Sequence, residues 1–61
     1  MVDRRSKILV VDDNQQNRLT ISETLEAEGF EIVEARDGIE AVTAFQEHAP
    51  DCILMDVRMP G

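Results

Sequence analysis

The sequence predicts an α/β fold: a β-α-β-α-β unit around a parallel sheet in strand order 2-1-3. Three observations lead there. The runs Ile8–Val11 (ILVV) and Cys52–Met55 (CILM) are short and unbroken in apolar character. That is the pattern of strands buried on both faces, as in a parallel sheet. Strand-like and helix-like segments alternate along the whole chain, which implies parallel strands joined by crossovers. Both helical segments are long enough to serve as those crossovers. With the first strand central, right-handed connections place one helix on each face.

Each element has its own justification. Residues 1–6, MVDRRS, read as a polar lead-in open to disorder. KILVVDD supplies the first strand, β-branched at three of its four apolar positions. NQQNRLTISETLEAEG suits a helix of about four turns, started by Asn14 or Asp13 and ended at Gly29. On a 100° wheel, Asn17, Ile21, Thr24, Leu25 and Glu28 share its inward side, a thin apolar face. Leu19 lies nearly opposite, where a single exposed leucine is ordinary. FEIVEA alternates more and belongs at a sheet edge. In RDGIEAVTAFQEHAP, Asp37 and Glu40 have capping-box spacing. Ile39, Val42, Phe45 and Ala49 follow a helical stripe that should face the core, and Pro50 ends the helix. His48 falls in the last turn, where a cation favours the helix dipole, and no second ligand at metal-binding spacing accompanies it. DCILMD is the third strand, and Cys52 within it should be a small buried hydrophobe.

Length and composition narrow the function. A chain of 61 residues is a single small domain, 1–61, marginal when alone. Thirteen Asp and Glu against six Lys and Arg give a net charge of −7. Nucleic-acid binding needs a basic surface, so these residues are not expected to contact nucleic acid directly. One cysteine allows no internal disulfide. No apolar run approaches the roughly 20 residues of a membrane span, and no secretory leader pattern precedes the first strand. No membrane partner is expected, and the natural setting is cytoplasmic.

The acids at the strand ends carry the chemistry. The first strand ends in Asp12 and Asp13, and the third in Asp56. In order 2-1-3 those strands are neighbours, so three carboxylates converge on the carboxyl edge, where open α/β sheets bind ligands. Crowded carboxylates either take up protons or hold a cation. An all-oxygen set at a half-solvated rim suits Mg²⁺. A carboxylate beside that ion can attack a phosphoryl group and form an aspartyl phosphate. Singly, each acid could be a cap or a strand end. Together they argue for a site.

ILVVDDN, EARDGIEA and PDCILMDVRMPG together resemble the first half of a response-regulator receiver domain of two-component signalling. The resemblance runs from about Lys7 to Gly61. It implies a flavodoxin-like, doubly wound sheet of five parallel strands, of which these residues form the β-α-β-α-β half. It implies Asp56 as phosphoacceptor, receiving its group from a histidine kinase or phosphotransfer protein. Asp12 and Asp13 would hold Mg²⁺, one directly and one through water. The backbone carbonyl of Arg58 would be a further ligand, with its side chain near the site, and Pro60 and Gly61 match the loop that follows.

The family's switch Ser/Thr and phosphate-binding Lys follow a fourth and a fifth strand, neither of which is represented here. Lys7, the one lysine, lies at the opposite end of the first strand. The expectation is therefore a fragment of a longer chain. A compatible alternative is a self-associating half-receiver that works as an interaction module without phosphorylation. An apolar third strand with an unpaired outer side would recruit a second copy in an antiparallel, two-fold dimer. A small Mg²⁺-dependent phosphohydrolase is disfavoured, because its nucleophile would sit in an Asp-x-Asp pattern and this chain has VVDDN.

Overall fold

The computed structural model describes residues 6–55. Its elements are β1 (Lys7–Val11), α1 (Gln15–Ala27), β2 (Glu31–Ala35), α2 (Gly38–His48) and β3 (Cys52–Met55). The sheet has the order β2-β1-β3. Both pairings are parallel, with Val11 opposite Ala35 on one side and Met55 on the other. The predicted α/β class and strand order are what is found.

The central strand is the core. Leu9, Val10 and Val11 are almost wholly buried, because β1 alone has a strand on each side and a helix on each face. Leu9 and Val11 pack with Ala35 and Ala41 on the α2 face, backed by Val33 and Ala44. Alternation along the strand turns Ile8 and Val10 to the other face, toward α1.

Local signals set the helix ends. Asn14, rather than Asp13, caps α1, its Oδ1 accepting the Asn17 N–H at 3.0 Å. Gly29 follows with φ +99°, the left-handed conformation that glycine takes at no steric cost. Asp37 caps α2, accepting the Glu40 N–H at 2.8 Å. Glu40 reaches back one residue further than a capping box requires, accepting the Arg36 N–H at 2.9 Å. At the other end of α2 the cation comes from elsewhere: Lys7 Nζ donates to the His48 carbonyl at 2.9 Å. Lys7 N–H also donates to the Asp51 carboxylate, at 2.8 Å, and the Asp51 N–H to the Lys7 carbonyl, at 2.7 Å. The amino end of β1 is thereby fastened to the loop before β3.

Four expectations need correction. The inward face of α1 is Arg18, Ile21, Ser22 and Leu25, whereas Asn17, Thr24 and Glu28 are exposed. A stripe at i, i+3, i+4 and i+7 carrying a serine and an arginine does not read as apolar. On α2 and its C-cap, Ile39, Val42, Phe45 and Ala49 are exposed, and Ala41 and Ala44 face the sheet. The small alanines let the helix approach closely, and the large residues fall to its flanks. All four residues of β3 are exposed, although their pattern suits burial on both faces. Cys52 is exposed with them. The reason is placement: α1 and α2 pack over β1 and β2, and neither reaches β3. Of the polar lead-in, Ser6 is described, and its carbonyl accepts the Glu31 N–H at 2.9 Å, extending the β1–β2 ladder. Residues 1–5 and 56–61 lie outside the described residues.

Two apolar grooves flank β3, one on each face of the sheet. The first, about 510 Å³, lies between β3 and α1 and is lined by Val10, Asp12, Thr20, Ile21, Leu54 and Met55. The second, about 540 Å³, lies between β3 and α2 and is lined by Ala41, Val42, Phe45, Ile53 and Met55.

Candidate functional site

The carboxyl edge of the sheet is built at Asp12. Its N–H donates to the Ala35 carbonyl at 3.1 Å, continuing the β1–β2 ladder one residue past the strand. Its Oδ1 accepts the Asn14 N–H at 2.9 Å, which turns the chain toward α1. Asp12 is 3% exposed and reaches the rim of the groove between α1 and β3. Asp13, the next residue, is exposed. The run Asp-Asp-Asn thus closes a strand, makes a turn and opens a helix within three residues. Capping falls to Asn14, which leaves Asp13 without that structural duty.

Arginine 18 was not among the residues that sequence patterns singled out. Its side chain, 15% exposed, donates through Nη1 to the Asp12 carbonyl at 2.7 Å. Through Nε it pairs with Glu34 on β2 at 3.0 Å. The available signal was an arginine in register with Ile21, Ser22 and Leu25 on the inward face of α1.

Of the four candidate site residues, Asp12 and Asp13 are described, and Asp56 and Arg58 lie outside the described residues. Among the described residues no three His, Cys, Asp or Glu side chains gather where they could hold a metal ion. No cationic side chain of those residues pairs with the Asp12 carboxylate. An exposed and a buried carboxylate in sequence, without a cationic partner among the described residues, form an oxygen donor set that fits a hard divalent cation. Lys7 is the first residue of β1, about 16 Å from Asp12 at roughly 3.3 Å per residue. It cannot serve this edge.

Comparison with known proteins agrees with this architecture. The family described as response regulator receiver domain matches residues 8–61. The chain belongs to that family. It is 40% identical over 53 residues to the polar-differentiation response regulator DivK of Brucella anthropi, covering 87% of this chain and 43% of that protein. The DivK protein of Brucella ovis matches at the same identity and coverage. Among solved structures, the Vibrio cholerae chemotaxis protein CheY4, crystallised at low pH, superimposes with a TM-score of 0.89 at 40% identity. That match covers 93% of this chain and 48% of the other. The chain therefore spans less than half the length of the curated relatives it matches, and its sheet is the flavodoxin-like half expected. No helix among the described residues is long and apolar enough to cross a membrane.

Proposed function

We propose that the chain is the phosphoacceptor half of a receiver, in which Asp56 accepts a phosphoryl group from a histidine kinase or phosphotransfer protein. One Asp56 carboxylate oxygen bonds to phosphorus as the phosphorus–nitrogen bond to the donor imidazole breaks. Asp12, Asp13, Asp56 and the Arg58 carbonyl would hold Mg²⁺, which supplies neutralisation of the phosphoryl oxygens when bound. The role of this chain's own residues is placement, so it is a signalling domain rather than a turnover enzyme, working in the cytoplasm and without direct contact to nucleic acid.

The observation that supports this reading is the register. Val11 pairs with Met55, so β1 and β3 reach the carboxyl edge side by side. Asp12 and Asp56 are the next residues in sequence after that pair. The test uses these residues within a whole receiver, because the family's phosphate-reading Ser/Thr and Lys belong to the second half. Acetyl phosphate with Mg²⁺ should label the protein, and Asp56→Asn should abolish labelling while leaving the far-UV circular dichroism unchanged. Labelling that survives the substitution overturns the assignment. Asp13→Ala should weaken Mg²⁺ binding in the same protein. The 61 residues alone should show little stable phosphorylation.

A second reading, compatible with the first, is self-association of the chain through β3. It is favoured by one observation: that strand is exposed along its whole length and has no partner on its outer side among the described residues.

A further inference from the structure

We propose that Arg18 is the positioning residue of the acidic edge, holding the Asp12 peptide so that both Asp12 and Asp13 present their carboxylates to a cation. The proposal rests on the metal-binding reading above, and goes beyond it in assigning a residue that touches no metal.

The argument starts from the loop. Only Asp12, Asp13 and Asn14 separate β1 from α1. Asp12 is held from three sides by three elements of structure. Its N–H is tied to β2 through the Ala35 carbonyl, its Oδ1 to the start of α1 through the Asn14 N–H, and its carbonyl to the second turn of α1 through Arg18. That last carbonyl belongs to the peptide group joining Asp12 to Asp13. Its orientation sets where both side chains leave the backbone. At 2.7 Å, with the donor charged and mostly shielded from water, this is the shortest of the three bonds and a strong one.

The guanidinium is suited to this task in a way that an ammonium is not. Its planar fork reaches two acceptors at fixed angles, here a carbonyl on one nitrogen and a carboxylate on another. Glu34 stands on β2 and fixes the far side of the fork, so the strut spans from the edge strand to the loop. The bland alternative is that Arg18 merely docks α1 onto β2 through its ion pair with Glu34. The two roles separate, because only the carbonyl bond touches the loop.

The experiment compares Arg18→Met, which keeps the apolar stem, with Glu34→Ala, which removes the ion pair and leaves the carbonyl bond available. Arg18→Lys tests the fork. Mn²⁺, as a paramagnetic stand-in for Mg²⁺, is titrated against the full chain and followed by water-proton relaxation. Amide hydrogen exchange is read in the metal-free protein at Asn14, with Thr24 in the same helix as the control for general loosening. Arg18→Met and Arg18→Lys should each weaken Mn²⁺ binding about tenfold or more, in the range seen when outer partners of metal ligands are removed. They should speed Asn14 exchange relative to Thr24, whereas Glu34→Ala changes both readouts by less than about threefold. Wild-type exchange at Asn14 in Arg18→Met overturns the proposal. So does a Glu34→Ala protein that behaves like Arg18→Met, and so does Mn²⁺ affinity that does not respond to Arg18→Met. If the unsubstituted chain takes up no Mn²⁺, the metal reading fails, and Asn14 exchange alone then decides whether Arg18 sets the loop.

Discussion

At the scale of single residues, burial and hydrogen bonding decide more than type does. Ser22 is 3% exposed, and its Oγ is the buried side-chain oxygen without a hydrogen-bond partner among the described residues. A hydroxyl desolvated without a partner costs about 1–3 kcal/mol. Alanine fits the same space and is the better helix former. Ser22→Ala should therefore stabilise the chain by about 1 kcal/mol, read as an increase in the urea midpoint at unchanged slope; a lower midpoint would show that the hydroxyl has a stabilising role. Asp12 shows the opposite case. Its buried carboxylate has the partner that the Ser22 hydroxyl lacks, with Oδ1 accepting the Asn14 N–H, and its N–H and carbonyl are bonded to the Ala35 carbonyl and the Arg18 guanidinium. Its place at a strand end was legible in VVDDN. The partner that holds its carbonyl was not, because Arg18 is six positions away and reads in isolation as an ordinary helical charge.

At the scale of elements, the termini were more legible than the faces. Asn14, Gly29, Asp37 and Pro50 each act through a local hydrogen bond or a steric limit, which sequence states directly. The faces depend on which side meets the sheet. Ile39 is 81% exposed, while Ala41 two positions on is buried, so on α2 residue size and inward direction run opposite to the hydropathy stripe. One strained position terminates this helix. Ala49 has φ 48° and ψ 61°, a left-handed conformation costing an L-residue roughly 1–2 kcal/mol. The proline that follows disfavours the right-handed alternative. Glycine would remove that cost and return about 0.4–1 kcal/mol through its greater freedom in the unfolded chain. Ala49→Gly should thus raise stability by about 0.5 kcal/mol, measured by chemical denaturation. A loss of stability would mean that the unfolded-state term outweighs the strain.

At the scale of the whole molecule, the sheet is asymmetric. β2 is an edge with a helix over each face, whereas among the described residues β3 is an edge with none, and the grooves beside it are apolar. An exposed apolar edge, even one of four residues, can recruit other chains. The 6.9 kDa chain should accordingly sediment above its monomer mass at micromolar concentration. The net charge of −7 opposes pairing, so association should strengthen as salt rises toward physiological levels and screening shortens to about 8 Å. Ile53→Lys puts a charge on the edge and should return the chain to monomer; a sedimentation profile unaltered by it would move the contact away from β3. In a whole receiver the same substitution should instead destabilise the domain.

The sequence by itself determined the class of fold, the strand order, the helix ends and the position of two acids at a strand's carboxyl end. All of these follow from short-range rules: apolar runs, turn chemistry, caps and the handedness of crossovers. Only the tertiary structure decided that β3 is uncovered, that alanines rather than the larger apolar residues form the contact face of α2, and that Arg18 ties the acidic loop to β2. Those features depend on the distance between elements far apart in the chain, and on how closely each helix approaches the sheet. Periodicity carries the direction of a side chain around its own axis. It does not carry what stands opposite.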